Sequence, residues 1–267
     1  MSVNSYICGL ADMAIIRDQE RLSIQRSITA LKARLNSYFE DEIKDSIIFG
    51  SYSRGTILPR LMDANSDIDY MIVFADSSIR PQTHLDRLRR FVELHYSRSE
   101  IYQSHPTIVL SLNHIRFELV PAIHGWLTGI NIPAKASDYE DWISTDPNAF
   151  NEELITANQS HGNKIKPLIR LMKYWNGINN YPFESYSLEQ DIIEHGFGFF
   201  GLFGGRQLKD YFFKYIEEGL DLHIFAPKWK KDAVSRAKQL AINAYWQESD
   251  GYAEAAERTI YRLLPPI

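Results

Sequence analysis

Apolar residues at helical spacing dominate the first part of the chain. Ile24, Ile28, Leu31, Leu35 and Tyr38 form one stripe, with Arg21, Lys32 and Arg34 on other faces. This pattern predicts one long helix over residues 10–39, a spine behind the rest of the fold. Ile47-Ile-Phe49 then reads as a short apolar strand that breaks at Gly50-Ser51, with a helix starting at Ser51. Ser66-Asp-Ile-Asp-Tyr-Met-Ile-Val-Phe74 reads as a second strand. Residues 81–99 look helical, with Leu85, Leu88, Phe91 and Val92 inward and Arg87, Arg89, Arg90 and Arg98 on a solvated face. Residues 107–112 and 115–120 form an expected hairpin turning at Asn113-His114. On its second strand Ile115, Phe117 and Leu119 share one face, and Arg116, Glu118 and Val120 the other.

Residues 123–150 predict a short strand and a loop that includes Gly129-Ile-Asn-Ile-Pro133. Helical spacing returns over residues 163–175. There Lys166, Arg170 and Lys173 stack on one face, which by itself reads as solvent-facing. A further helix start lies at Ser185-Tyr-Ser-Leu-Glu189, where Glu189 is expected to order the helix locally. Residues 207–267 read as helices, one marked by Val234, Ala237, Ala241 and Tyr245. A soft boundary near residue 152 divides the chain into expected lobes of 1–152 and 153–267.

Composition narrows the class. With 267 residues, 45% hydrophobic and 24% charged, the chain can build one large domain or two lobes of a soluble protein. The net charge of −5 argues against a protein that lives on bulk duplex DNA or RNA. The one cysteine, Cys8, permits no disulfide framework and no cysteine-rich zinc site within the chain. No signal-peptide pattern or membrane-length apolar run is visible, so a cytoplasmic location is expected.

The chemistry begins at the two motif strands. Side chains alternate along a strand, so Asp67 and Asp69 stand side by side while Ile68, Tyr70 and Ile72 point the other way. Adjacent carboxylates repel, and both stay ionised most easily around a cation. Mg²⁺ suits them, because it combines carboxylates, waters and phosphate oxygens. The turn at Gly50-Ser51 supplies free backbone N–H groups, a hydroxyl and close access for a phosphate. Either feature alone is commonplace: a capped helix, or an acidic turn. Together, in this order, they point to phosphoryl or nucleotidyl transfer. By contrast, Gly196-Phe-Gly-Phe-Phe-Gly201 matches G-x-G-x-x-G but follows a helical segment, so it is discounted as a dinucleotide site.

The run Gly50-Ser-Tyr-Ser-Arg-Gly-Thr56 followed by Asp67-x-Asp69 resembles the polymerase-β-like nucleotidyltransferases. It is most similar to their branch of oligoadenylate synthases, cyclic GMP-AMP synthase and the bacterial cyclic-oligonucleotide synthases of antiphage defence. Phe117-Glu-Leu-Val-Pro-Ala122 resembles the family segment carrying the third metal carboxylate, here Glu118, where the family more often has aspartate. Leu168-Ile-Arg-Leu-Met-Lys-Tyr-Trp175 resembles the helix whose lysine, Lys173, reaches nucleotide phosphates. Ser185-Tyr186 resembles the family's phosphate-contacting serine and base-stacking aromatic. Trp142-Ile-Ser-Thr-Asp-Pro147 resembles a segment leading from the catalytic sheet to the helical lobe.

The resemblance implies an α+β fold: a mixed sheet with flanking helices, a long N-terminal spine helix and a helical C-terminal lobe, with the active site in a cleft. It implies catalytic and metal-binding roles for Asp67, Asp69 and Glu118, and nucleotide contacts at Gly50, Ser51, Lys173, Ser185 and Tyr186. The expected cofactor is Mg²⁺, two ions, with Mn²⁺ able to substitute. Ribonucleoside triphosphates such as ATP and GTP are the expected substrates, and a cyclic di- or trinucleotide second messenger the product. The protein is expected to be a monomer with no membrane or stable duplex-DNA partner, and a protein activator is open. Two alternatives stay open as well: nucleotidyl transfer to tRNA or protein, and a catalytically silent nucleotide-binding protein.

Overall fold

The computed structural model describes residues 2–104, 106–125, 129–134, 141–146, 148–197 and 207–267. The chain divides into two compact units. One comprises residues 16–60 and 64–151. The other comprises residues 1–15, 61–63 and 152–267. The expected lobes of 1–152 and 153–267 differ from this in residues 1–15, 61–63 and 152.

The first unit is built on a mixed sheet. Its strands are β1 (Ile43–Phe49), β2 (Asp67–Phe74), β3 (Glu100–Ser104), β4 (Thr107–Ser111), β5 (Arg116–His124), β6 (Ile130–Pro133) and β7 (Trp142–Thr145). The spatial order is β1-β2-β5-β4-β3, with β6 joined to β5 and β7 to β6. Only the β2–β5 pair is parallel among the pairings of the described residues. β4 and β5 form the expected hairpin, closed by a bond from the Leu112 N–H to the Ile115 carbonyl at 2.8 Å. β1 begins at Ile43, earlier than the apolar pattern suggests. β3 alternates exposed and half-buried residues and carries no apolar run to announce it.

Strand alternation sets the layers. Ile68, Tyr70, Ile72 and Phe74 of β2 face a core shared with α2 (Asp18–Phe39) and α4 (Pro81–His95). α2 contributes Ile24, Ile28, Leu31, Leu35 and Phe39; α4 contributes Leu85, Leu88, Phe91 and Val92. Met71 and Val73 face the other side, where Ala122, Ile47 and Phe49 form a smaller cluster. Asp67 and Asp69 lie on this second face by the same alternation, at the β2 end adjoining the smaller cluster.

The single helix expected over residues 10–39 is two helices. α1 (Val3–Met13) ends at Ala14, and α2 starts at Asp18. Asp18 and Glu20 in the first turn of α2 suit the positive end of a helix dipole, and Glu20 also accepts from the Arg60 N–H at 3.1 Å. Ile16 and Ile24 are both core residues of the first unit, whereas Ile7 and Leu10 of α1 are buried in the second. A segment whose two parts serve different cores does not run as one rod.

The second unit is helical. Besides α1 it contains most of α5 (Ala149–Ser160), with α6 (Ile165–Ile178), α7 (Ser185–Glu194), α8 (Leu208–Lys214), α9 (Lys228–Ser249) and α10 (Ala253–Leu263). α6 packs against α1 and α7, and α9 against α10. In α9 the buried stripe runs through Ala233, Val234, Ala237, Leu240, Ala241 and Ala244. Tyr245, expected on it, is exposed. Pro147 and residues 198–201 of the glycine-aromatic run lie outside the described residues.

Candidate active site

The site face of the first unit is assembled by strand register. β2 pairs with β1 on one side and β5 on the other. Asp69 stands opposite Phe49 of β1 and Glu118 of β5, and Asp67 stands opposite Arg116. Asp67, Asp69 and Glu118 are all half-buried, while their chain neighbours Ile68, Tyr70, Phe117 and Leu119 are fully buried behind them. Three carboxylates thus share one face of two adjacent strands.

β1 delivers Gly50 to the same place. It ends at Phe49, and the next residue opens α3 (Gly50–Arg54). Gly50 has a φ of +69°, and a Cβ there would lie 1.8 Å from Asp69 Oδ2. The Asp69 carboxylate therefore rests against bare backbone, which only glycine offers. Ser51 is buried. Its carbonyl accepts from the N–H groups of Thr56 and Ile57 at 2.9 and 3.1 Å, which folds the chain back after α3. Gly55, with a φ of +70°, caps that short helix.

Arg116 is the site residue that sequence reasoning passed over. Its Nη2 donates to Asp67 Oδ2 at 2.7 Å and to the Asn65 carbonyl at 2.9 Å, and lies 3.7 Å from Glu118 Oε1. The signal was present in the alternation, which put Arg116 and Glu118 on one face. Burial, followed by the charge of Asp67, pushes the Glu118 carboxyl up to about 7, and Arg116 opposes that rise.

The donor set can be tested against a divalent cation. No group of three or more His, Cys, Asp or Glu side chains stands ready-formed around a common point among the described residues. The chemistry nonetheless fits: the donors are all carboxylates, as Mg²⁺ prefers. A guanidinium already bridges two of them, so a positive charge is accommodated there.

The remaining expected residues lie in the second unit. Lys173 and Arg170 of α6 are 6% and 7% exposed, so these two are buried rather than solvent-facing, while Lys166 is half-buried. Lys173 Nζ donates to Glu189 Oε1 of α7 at 3.1 Å, and Glu189 is 1% exposed. Burial of two charges is tolerated because they are paired. Ser185 opens α7 and is half-buried. Tyr186 follows it and is 49% exposed. No helix of the described residues is long and apolar enough to cross a membrane.

Known proteins share this architecture. A protein of Bacillus cereus (strain VD146) named "Probable cyclic nucleotide synthase" is 26% identical over 224 residues, 69% of this chain and 66% of that protein. The "Cyclic AMP-AMP-AMP synthase" of Acinetobacter sp. (strain ATCC 27244 / 9458) is 25% identical over 140 residues, 50% of this chain and 40% of that protein. The matches thus span less than two thirds of either relative's length. The cyclic AMP-GMP synthase DncV of Vibrio cholerae, solved with the linear intermediate 5′ pppA(3′,5′)pG, superposes with a TM-score of 0.71 at 11% identity, covering 96% of this chain and 92% of that one. The α+β fold implied by the nucleotidyltransferase resemblance is therefore the fold of this chain. Residues 1–158 match the Second Messenger Oligonucleotide or Dinucleotide Synthetase domain, and the chain belongs to that family.

Proposed function

We propose that this protein is a metal-dependent nucleotidyltransferase that joins ribonucleoside triphosphates into a cyclic di- or trinucleotide second messenger in the bacterial cytoplasm, as part of antiphage signalling. The observation that carries the reading is the β1–β2–β5 register, which gathers Asp67, Asp69 and Glu118 beside Gly50-Ser51. Family membership and the names of the two relatives support it.

In this reading the unit of residues 16–60 and 64–151 carries the chemistry. Asp67, Asp69 and Glu118 would hold the metal. Bound Mg²⁺, two ions replaceable by Mn²⁺, would supply Lewis-acid activation of the α-phosphate and of the attacking hydroxyl. Gly50 and Ser51 receive phosphate oxygens. In the helical unit, Lys173 and Ser185 contact phosphates, and the exposed Tyr186 ring offers a stacking surface for a base. A 2′ or 3′ hydroxyl oxygen attacks the α-phosphorus as the bond to the β-phosphate bridging oxygen breaks. The hydroxyl loses its proton and pyrophosphate leaves. Positioning and electrostatics supply most of the acceleration.

The test is incubation of the purified protein with all four ribonucleotides and Mg²⁺ or Mn²⁺, then phosphatase treatment and mass spectrometry. A phosphatase-resistant oligonucleotide is the expected result, and its mass gives ring size and bases. Pyrophosphate appearing only with added tRNA or a protein acceptor would replace this reading with transfer to a macromolecule.

A further inference from the structure

The carboxylate face carries a fixed cation of its own. Arg116 and Glu118 lie two apart on β5 and share a face, and the parallel register sets Arg116 directly across from Asp67. One guanidinium nitrogen serves three groups: Asp67 Oδ2 at 2.7 Å, the Asn65 carbonyl at 2.9 Å and Glu118 Oε1 at 3.7 Å. The Asn65 carbonyl is backbone, so it pins the guanidinium in place. Arginine stays charged at any working pH and cannot leave the site by losing a proton.

We propose that Arg116 is a built-in counter-ion of this site, competing with a divalent cation for Asp67 and thereby setting metal affinity. This rests on the reading of Asp67, Asp69 and Glu118 as metal ligands. A cation at Asp67 must share a carboxylate whose Oδ2 already accepts a hydrogen bond from the guanidinium. Two positive charges a few ångströms apart in a partly buried site repel substantially. The guanidinium and the metal therefore weaken each other's hold on Asp67. Arg116 is in this sense a positioning residue that tunes occupancy of the site. It also keeps the carboxylates together by relieving their mutual repulsion.

The experiment titrates Mn²⁺ into metal-stripped protein and reads free Mn²⁺ by electron paramagnetic resonance. It compares the parent with Arg116→Gln, Arg116→Lys and Asp69→Asn, with circular dichroism to verify folding. Arg116→Met replaces the Gln variant if that one does not fold. The expected result is Mn²⁺ affinity raised on the order of tenfold in the neutral variant. The Lys variant should stay close to the parent, and Asp69→Asn should lose binding. Unchanged or weaker affinity in the neutral variant, with Asp69→Asn still abolishing binding, overturns the competition and leaves the metal reading standing. No Mn²⁺ binding by the parent, or none lost in Asp69→Asn, overturns the metal reading and this inference with it.

Discussion

Lys173 and Glu189 form an ion pair inside the helical unit, Nζ to Oε1 at 3.1 Å, with side chains 7% and 1% exposed. α6 supplies the lysine and α7 the carboxylate, so the pair ties the two helices together. Removing the carboxylate alone leaves an ammonium buried without its counter-charge. Glu189→Ala should therefore cost about 3–5 kcal/mol of stability. Urea unfolding of this variant and the parent measures it. A loss below about 1 kcal/mol, the scale of an exposed pair, would mean that the charges are not held as described.

Asp69→Asn keeps the side-chain shape and removes the charge. Pyrophosphate release should fall at least about a hundredfold, the rate equivalent of roughly 2.7 kcal/mol, with the circular dichroism spectrum unchanged. Release at the parent rate would exclude Asp69 from the chemistry.

Gly50→Ala tests the contact between backbone and carboxylate. The left-handed φ of +69° costs an alanine about 1–2 kcal/mol. Its Cβ would also meet Asp69 Oδ2 at 1.8 Å and push the carboxylate out of position. Turnover should drop on the order of a hundredfold, as expected for an ångström-scale displacement of a reacting-site group. Full turnover in this variant would show that Asp69 does not need its place against Gly50.

His84 gives an acid-sensitive contribution to stability. It is fully buried and stacks on Phe74 with centroids 4.2 Å apart. Burial, reinforced by Arg87, lowers its pKa from 6.5 to about 4. The folded state then binds fewer protons than the unfolded state between these values. Stability is present above about pH 6.5 and is lost as pH falls toward 4. Thermal melts of the parent and His84→Leu over that window should show a steeper acid decline in the parent. Parallel declines would assign the acid sensitivity to other groups.

Glu118 acts in the opposite direction. Its carboxyl is raised from 4.5 to about 7, so metal-free folded protein binds more protons than the unfolded chain between those values. Its contribution to stability is fully present below about pH 4.5 and is lost as pH rises through 7. Glu118→Gln should flatten this part of the profile in metal-free melts, most clearly in the His84→Leu background. An unaltered profile would mean that Glu118 titrates as an ordinary carboxylate.

Much of the candidate site's geometry was legible because its parts obey local periodicities. Period-two alternation put Asp67 and Asp69 together and set Glu118 on the face away from Phe117 and Leu119. Asn113-His114 marked the hairpin that makes β4 and β5 neighbours. Helical spacing on α4 named the core residues Leu85, Leu88, Phe91 and Val92. These features depend on a few consecutive residues and on backbone geometry that any chain shares.

Tertiary structure decided what depends on partners far away in the chain. The parallel register of β2 and β5 set Arg116 against Asp67, 49 residues distant, and no local pattern encodes that offset. The turn at Gly50 met Asp69 only because β1 lies beside β2. The segment read as one helix over residues 10–39 broke because its two parts bury their apolar residues in different units. Lys173 of α6 is buried rather than solvent-facing, paired with Glu189 of α7. Periodicity tells which way a side chain points. Whether it meets solvent, a carboxylate or bare backbone is set by packing between elements remote in sequence.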